Sequence, residues 1–260
     1  MRYYFYIFLI IFLMGRSVLQ AAEISDTESA FTVSEKSQFN DEVIKRILIS
    51  EDVEKLETLV KNGFDINSRD ENGDTILIYA LQNNADIAMV KKIIGLGADV
   101  NSPSAQSGVT PLIIATQTAA IFQDKAENFL VMQKGEDLVR KSIVAARLKE
   151  TAISDMMRAE KLVDTLVKNG ADVNQETPYG TPLMNAVTNE WNFGIVDKLL
   201  KAGADVNQQN RSGKTALFYA FAYECNKMVT LLLEVGADTE IKDNNGYTYI
   251  ESEKSDIINR

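Results

Sequence analysis

Apolar residues return along this chain at fixed offsets of seven, four and three before a glycine. The sets are Leu56/Leu59/Val60, Val90/Ile93/Ile94, Val163/Leu166/Val167, Val196/Leu199/Leu200 and Val229/Leu232/Leu233. Residues three and four apart share one face of a helix, so each set predicts a short helix with a single apolar stripe. The glycine opens a recurring phrase. It reads Asn62-Gly63-Phe64-Asp65-Ile66-Asn67, Leu96-Gly97-Ala98-Asp99-Val100-Asn101, Asn169-Gly170-Ala171-Asp172-Val173-Asn174, Ala202-Gly203-Ala204-Asp205-Val206-Asn207 and Val235-Gly236-Ala237-Asp238-Thr239-Glu240. A second glycine lies six or seven residues beyond each phrase, at Gly73, Gly108, Gly180, Gly213 and Gly246. Thr75, Thr110, Thr181, Thr215 and Thr248 follow these glycines directly or after one residue.

Each unit therefore reads as a turn, a first helix capped by threonine, a second helix and a glycine stop. Threonine accepts from an unpaired N–H of the first helical turn, and proline fits the next position because its missing N–H would have no partner there. Glycine after the second helix supplies the left-handed conformation that ends it. Alanines at Ala80, Ala115, Ala186 and Ala220 let the first helix pack closely.

Thr110-Pro111-Leu112-Ile113-Ile114-Ala115 and Thr181-Pro182-Leu183-Met184-Asn185-Ala186 carry the chain's resemblance to the ankyrin repeat, over about residues 40 to 250 apart from one insertion. The family's usual phrase is Thr-Pro-Leu-His-x-Ala, and here Ile78, Ile113, Met184 and Phe218 stand in place of its histidine. The resemblance implies an all-α solenoid of stacked helix-turn-helix units with hairpin loops, apolar contact replacing the hydrogen bonds of that histidine. The units run about 39–67, 68–101, 102–174, 175–207, 208–240 and a cap at 241–260, with polar, atypical end units as a stack requires.

Successive first glycines are 34, 73, 33 and 33 residues apart, so the third full unit carries an insertion, about 118–158. Leu138, Ala145, Ala152, Ala159 and Leu166 recur every seven residues and run into the regular second helix, while Ala119, Phe122, Ala126, Phe129 and Leu130 give a facing stripe. The expectation is a long antiparallel helical hairpin turning near Gly135, each arm reaching roughly 28 Å. The alternative is an insertion folded back over the core.

The amino terminus has its own pattern. Arg2 precedes an apolar run from Tyr3 to Met14, then small residues lead to Ala21-Ala22, as in a secretory signal over 1–22. At twelve residues the run would span roughly 18 Å as a helix, short of the roughly 30 Å hydrocarbon core. Cleavage after Ala21 or Ala22 is expected, although Gly15-Arg16-Ser17 also fits the small-residue rule. No cysteine follows the run, which excludes a lipoprotein. Residues 23–38 read as a flexible polar leader. The expected product is exported, periplasmic or secreted, with no stable membrane insertion once the signal is removed.

Composition then removes chemistry. Among 260 residues there is no histidine, which excludes Ser-His-Asp and Cys-His catalysis and histidine metal sites. The single cysteine, Cys225, is read as a small buried residue of a first helix. The Asp/Asn phrases, including Asp243-Asn244-Asn245-Gly246, suit tight turns and need no calcium. Neither a cofactor nor a metal is expected, and no nucleophile, base and orienter converge. With 27 basic against 37 acidic residues the net charge is −10, which disfavours nucleic acid and favours a basic protein partner.

Carried over from the family, the concave face takes Tyr79, Gln82, Asn83, Ile114, Gln117, Asn185, Thr188, Asn189, Tyr219 and Tyr223, and the hairpin tips add Asp70, Glu71, Asn72, Tyr179, Asn210 and Arg211. Tyrosines among amides suit an interface, offering large contact area at low entropic cost. Trp191, the only tryptophan, is expected at the edge of the core in an inter-helix turn. Asn210-Arg211-Ser212 has the form of a glycosylation acceptor. The expected function is a non-catalytic, monomeric binder of protein in the cell envelope. As an immunity-type protein it would inhibit a toxic effector enzyme. The alternatives are a chaperone or scaffold for a resident periplasmic enzyme, and a secreted protein acting on a host.

Overall fold

The computed structural model describes residues 41–117 and 138–252. The expected signal, leader and near arm of the inserted hairpin lie outside these residues. Within them the elements are α1 (Asp41–Ser50), α2 (Val53–Lys61), α3 (Ile76–Gln82), α4 (Ile87–Gly95), α5 (Pro111–Gln117), α6 (Leu138–Lys168), α7 (Pro182–Ala186), α8 (Phe193–Lys201), α9 (Ala216–Ala222) and α10 (Asn226–Glu234). A single 3-10 turn, Glu190–Asn192, joins α7 to α8. Odd- and even-numbered helices thus pair into five successive units. No strand forms among the described residues, where hairpin tips close with isolated bridges such as Arg69 to Thr75. The architecture is the all-α stack that the repeat predicts.

The expected stripes face inward. Leu56, Val90, Val163, Val196 and Leu232 are all fully buried, as are the alanines Ala80, Ala115, Ala186 and Ala220. Thr75, Thr110 and Thr181 accept from the N–H of Ile78, Ile113 and Met184 at 3.4, 3.3 and 3.3 Å. Thr215 keeps the extended backbone of a cap but makes no such bond. The glycines that stop the second helices have φ from 88° to 96°, a region where any other residue carries a steric cost.

The last asparagine of each phrase ties one unit to the next. Asn67 donates to the carbonyl of Gly97 and accepts from the N–H of Asp99 (3.0 and 2.7 Å). Asn101 does the same to Gly170 and Asp172, Asn174 to Gly203 and Asp205, and Asn207 to Gly236 and Asp238, all within 2.7–3.2 Å. The preceding aspartate fixes the turn by accepting from the N–H two residues on, as Asp172 does from Asn174 at 2.8 Å. At Glu240 the phrase has no asparagine, and the ladder stops there.

The residues in place of the family histidine, Ile78, Ile113, Met184 and Phe218, are all buried. Hairpin order comes instead from a side-chain oxygen at the tip. Asp70 Oδ1 accepts from Asn72 and Asp74 (2.9 and 2.8 Å), and Asn210 Oδ1 from Ser212 and Lys214 (3.0 Å each). Arg69 and Gln209 also bridge to the next hairpin, donating to the carbonyls of Pro103 and Lys242 at 2.7 and 3.0 Å.

The third unit departs from the others in its second helix. α6 has 31 residues, about 46 Å at 1.5 Å per residue, against 9 in α4, α8 and α10. The far arm of the expected insertion is therefore continuous with the regular second helix. Ala159 and Leu166 of the heptad seam are fully buried. Arg158 anchors the emerging helix, donating to Asn84 Oδ1 at 3.3 Å and to the carbonyl of Ala85 in the α3–α4 turn. That guanidinium is half-buried, and its desolvation lowers its pKa against the pull of Asp155 and Asp86.

Two expectations require correction. Cys225 is buried as expected but is not on a first helix: it caps α10, because α9 ends at Ala222. Trp191 does not edge the core. The 3-10 turn holds it outward, 54% exposed, while its neighbour Asn192 takes the buried position.

Candidate protein-binding face

The first helices α3, α5, α7 and α9 are short, and their outer positions form a row running across the units. Tyr79 on α3 is half-buried, with Lys45 Nζ of α1 5.8 Å from its ring centre. Gln82, one turn on, donates to the buried Asp74 Oδ2 at 3.2 Å, and Asn83 caps the helix by donating to the carbonyl of Tyr79 at 2.9 Å. On α5, Ile114 is buried, so the exposed row there is carried by Gln117. Its amide donates to Asn185 Oδ1 of the next unit at 3.3 Å.

Asn185 is consumed by the scaffold, since its amide also donates to the carbonyls of Tyr179 and Thr181 at 3.1 and 3.0 Å. Asn189 is buried and caps the 3-10 turn, accepting from Trp191 N–H at 2.9 Å. Asp70 is likewise buried in its own hairpin, whereas Glu71 beside it is exposed. Of the sequence-derived set, then, Asp70 and Asn189 build the fold. Gln82, Asn83 and Asn185 do both, because each is partly open to solvent.

The far end of the row is aromatic and amphipathic. Tyr219 is half-buried and its hydroxyl accepts from Asn210 Nδ2 at 2.8 Å. Tyr223, at the end of α9, is exposed, as is Tyr179 on its hairpin tip. Burial raises the pKa of Tyr219 and Tyr223, and the Asn210 hydrogen bond only partly offsets this for Tyr219. Both phenols therefore stay neutral, able to donate as well as accept. Arg211 projects from its tip beside Glu176, 4.0 Å away. Asn210, the would-be glycosylation acceptor, has both side-chain atoms engaged.

Sequence reasoning missed a second set. Trp191 and Phe193 are 54% and 50% exposed at the inter-helix turn, and Met157 and Ile153 on α6 are 51% and 42% exposed. One signal was readable: Asn189-Glu190-Trp191-Asn192 sets the tryptophan among polar residues. The turn also has one residue more, six from Ala186 to Asn192, than the five from Ala80 to Ala85 or Ala220 to Cys225.

Among the described residues no three histidine, cysteine, aspartate or glutamate side chains gather to hold a metal, and no helix is long and apolar enough to cross a membrane. The surface on offer is a row of aromatic, amide and charged groups on a rigid stack, which is suited to contact with another protein.

Comparison with known proteins agrees with this geometry. A crystal structure of the ankyrin repeat protein EF0377 superposes with a TM-score of 0.58 at 23% identity, covering 82% of this chain and 90% of that one. An ankyrin repeat protein of fowlpox virus (strain NVSL) is 42% identical over 57 residues. That stretch spans 22% of this chain and 11% of the viral protein, which is therefore about twice as long. The family model for ankyrin repeats (3 copies) matches residues 42–142 and 152–243. Those matches cover most of the chain, and the repeats, ladder and capped helices described above fall within them. The chain belongs to the ankyrin-repeat family, whose stacks serve in general as protein–protein interaction modules rather than as catalysts.

Proposed function

We propose that this chain is an exported, non-catalytic binder in the cell envelope that inhibits an enzyme toxic to the cell, in the manner of an immunity protein. The observation that carries the reading is the row Tyr79, Gln82, Asn83, Gln117, Tyr219 and Tyr223, with Glu71, Tyr179 and Arg211 at the tips. It combines contact area with neutral hydrogen-bonding groups on a scaffold held unit to unit by asparagines. The amino-terminal apolar run supports export, and the net charge of −10 supports a basic partner that associates faster at low salt. The insertion in one unit suits a single dedicated partner.

The test is capture from an envelope extract with the mature chain, at low and high salt, followed by an activity assay of the bound enzyme. A stoichiometric, salt-sensitive complex with loss of enzyme activity supports inhibition. Tyr223→Ala and Tyr179→Ala together should weaken that complex by about tenfold or more, as interface tyrosines do. A bound enzyme that keeps full activity refutes inhibition in favour of a chaperone or scaffold. Binding confined to host proteins would instead support action on a host.

A further inference from the structure

Asparagine followed by glycine loses ammonia without an enzyme wherever the backbone opens enough, because glycine leaves its own nitrogen free to approach the asparagine side chain. The chain has four such steps, Asn62-Gly63, Asn72-Gly73, Asn169-Gly170 and Asn245-Gly246, and all four asparagines are exposed. In each, the glycine N–H donates to the carbonyl three residues back at 2.9–3.0 Å, so that bond does not separate them. Their wider surroundings do.

Asn62 and Asn169 end second helices. Turning either peptide for ring closure pulls on the next N–H, which donates back into the helix from the buried Phe64 or Ala171 at 3.0 Å. Asn169 is held further by its own amide, which donates to the carbonyl of Thr165 at 2.8 Å. Asn72 lies on a hairpin tip, but the Gly73 carbonyl accepts from Ala105 N–H and from Arg69, and a methyl built on Gly73 would fall 2.5 Å from Ala105 Cβ. The next hairpin therefore clamps that step. At the last tip, Asn244 is tied to the preceding hairpin through the carbonyls of Ser212 and Arg211. Beyond it the side chain of Asn245 makes no hydrogen bond among the described residues, and a methyl built on Gly246 would meet nothing within 4 Å.

We infer that Asn245 is a site of spontaneous deamidation, the fastest of the four. The Gly246 nitrogen gives its proton to water and attacks Cγ of Asn245. A nitrogen–carbon bond forms, the side-chain amide bond breaks and ammonia leaves. Water then opens the five-membered succinimide at one carbonyl or the other, giving aspartate or isoaspartate. Either product places a carboxylate two residues from Asp243, which is 5% exposed and whose Oδ2 has no partner among the described residues. Isoaspartate also adds a methylene to the backbone. Asp243 Oδ1, which accepts from the N–H groups of Asn245 and Tyr247 at 2.9 and 3.1 Å, then loses the spacing that holds both. Reaction at Asn245 should therefore loosen the last hairpin, whatever the concave face binds.

The full chain is aged in mildly alkaline buffer, with and without urea, and the four sites are followed by peptide mass spectrometry. In the folded chain Asn245 should react at least about fivefold faster than Asn169, the factor that one hydrogen bond supplies. In urea the four rates should converge. Equal rates in the folded chain, or any other site ahead of Asn245, overturn the inference. The same order in urea as in the folded chain overturns it too, because sequence neighbours would then set the rates. Hydrogen exchange at the Tyr247 amide should quicken as the unmodified chain ages and stay constant in Asn245→Gln. Exchange that does not change on full conversion overturns the loosening of the hairpin.

Discussion

Replacing Asn174 with alanine tests whether the asparagine ladder holds the stack together. The side chain donates to the carbonyl of Gly203 and accepts from the N–H of Asp205, at 3.0 and 2.8 Å. Gly203 and Asp205 are exposed, so water can replace both bonds and neither group is left buried and unpaired. Each bond is then worth about 0.5–1 kcal/mol net, and the substitution should cost about 1–2 kcal/mol. For a stack of this size that lowers the melting temperature by about 3–6 °C. Urea denaturation followed by circular dichroism measures the loss. Asn62→Ala is the control, because Asn62 is exposed at the end of α2 and outside the ladder, and it should change stability by less than about 0.5 kcal/mol. Because a stack's stability sums over nearest-neighbour interfaces, Asn174→Ala with Asn207→Ala should also broaden the transition. If Asn174→Ala matches the control, the ladder is geometry without energy and the argument for it fails.

Four further outcomes follow from the structure. Glu224 has φ of 59° in the α9–α10 turn, so Glu224→Gly should stabilise by about 0.5–1 kcal/mol, seen as a higher melting temperature. Gly213→Ala should cost more than Gly63→Ala, by roughly 1–3 kcal/mol in urea titrations, because the new methyl would fall 2.7 Å from the backbone nitrogen of Asn244 whereas Gly63 faces open space. Asn192 is fully buried and donates to the carbonyls of Ala186 and Thr116, so Asn192→Ala should cost about 1–3 kcal/mol, read in urea titrations, by removing both bonds from the interior. Tyr219, Tyr223 and Cys225 all have pKa values raised by burial, so the folded state holds their protons longer than the unfolded chain. Stability should therefore be fully present below their unfolded values and fall as pH rises through the folded ones; Tyr219→Phe should flatten the alkaline fall in urea midpoint, and a pH-independent midpoint there would refute the assignment.

What the sequence revealed depended on whether a residue's task repeats. The stripe before each glycine, the glycines and the threonine caps recur because every unit solves the same packing problem, and they read correctly. Asparagine at the end of each phrase was visible as a repeated letter, but its bonds run to the next unit, and only the stacked geometry shows them. The turn between paired helices is less uniform. Glu51, Asn84 and Glu224 carry the left-handed residue there, while the fourth unit substitutes a 3-10 turn with one more residue. Trp191 is turned outward by that local difference, which no repeat-wide rule anticipates, and Cys225 falls three residues beyond the end of α9, at the cap of α10. Among the outer positions assigned by analogy, Asp70 and Asn189 are buried in the fold, while Asn185 is half-buried and bonded to its own hairpin. Asp and Asn serve equally as contact groups or as caps, and burial decides between the two.

The ladder step from Asn101 to Gly170 has the same geometry as the others, yet it spans 69 residues where its neighbours span 29 or 30. In the unfolded chain, closing the longer loop costs about 0.7 kcal/mol more in entropy. That difference is small at equilibrium but falls on one boundary only. Folding should start within the units on either side of that boundary, whose contacts are local, and cross the insertion late, so the two parts of the stack are expected to form before they join.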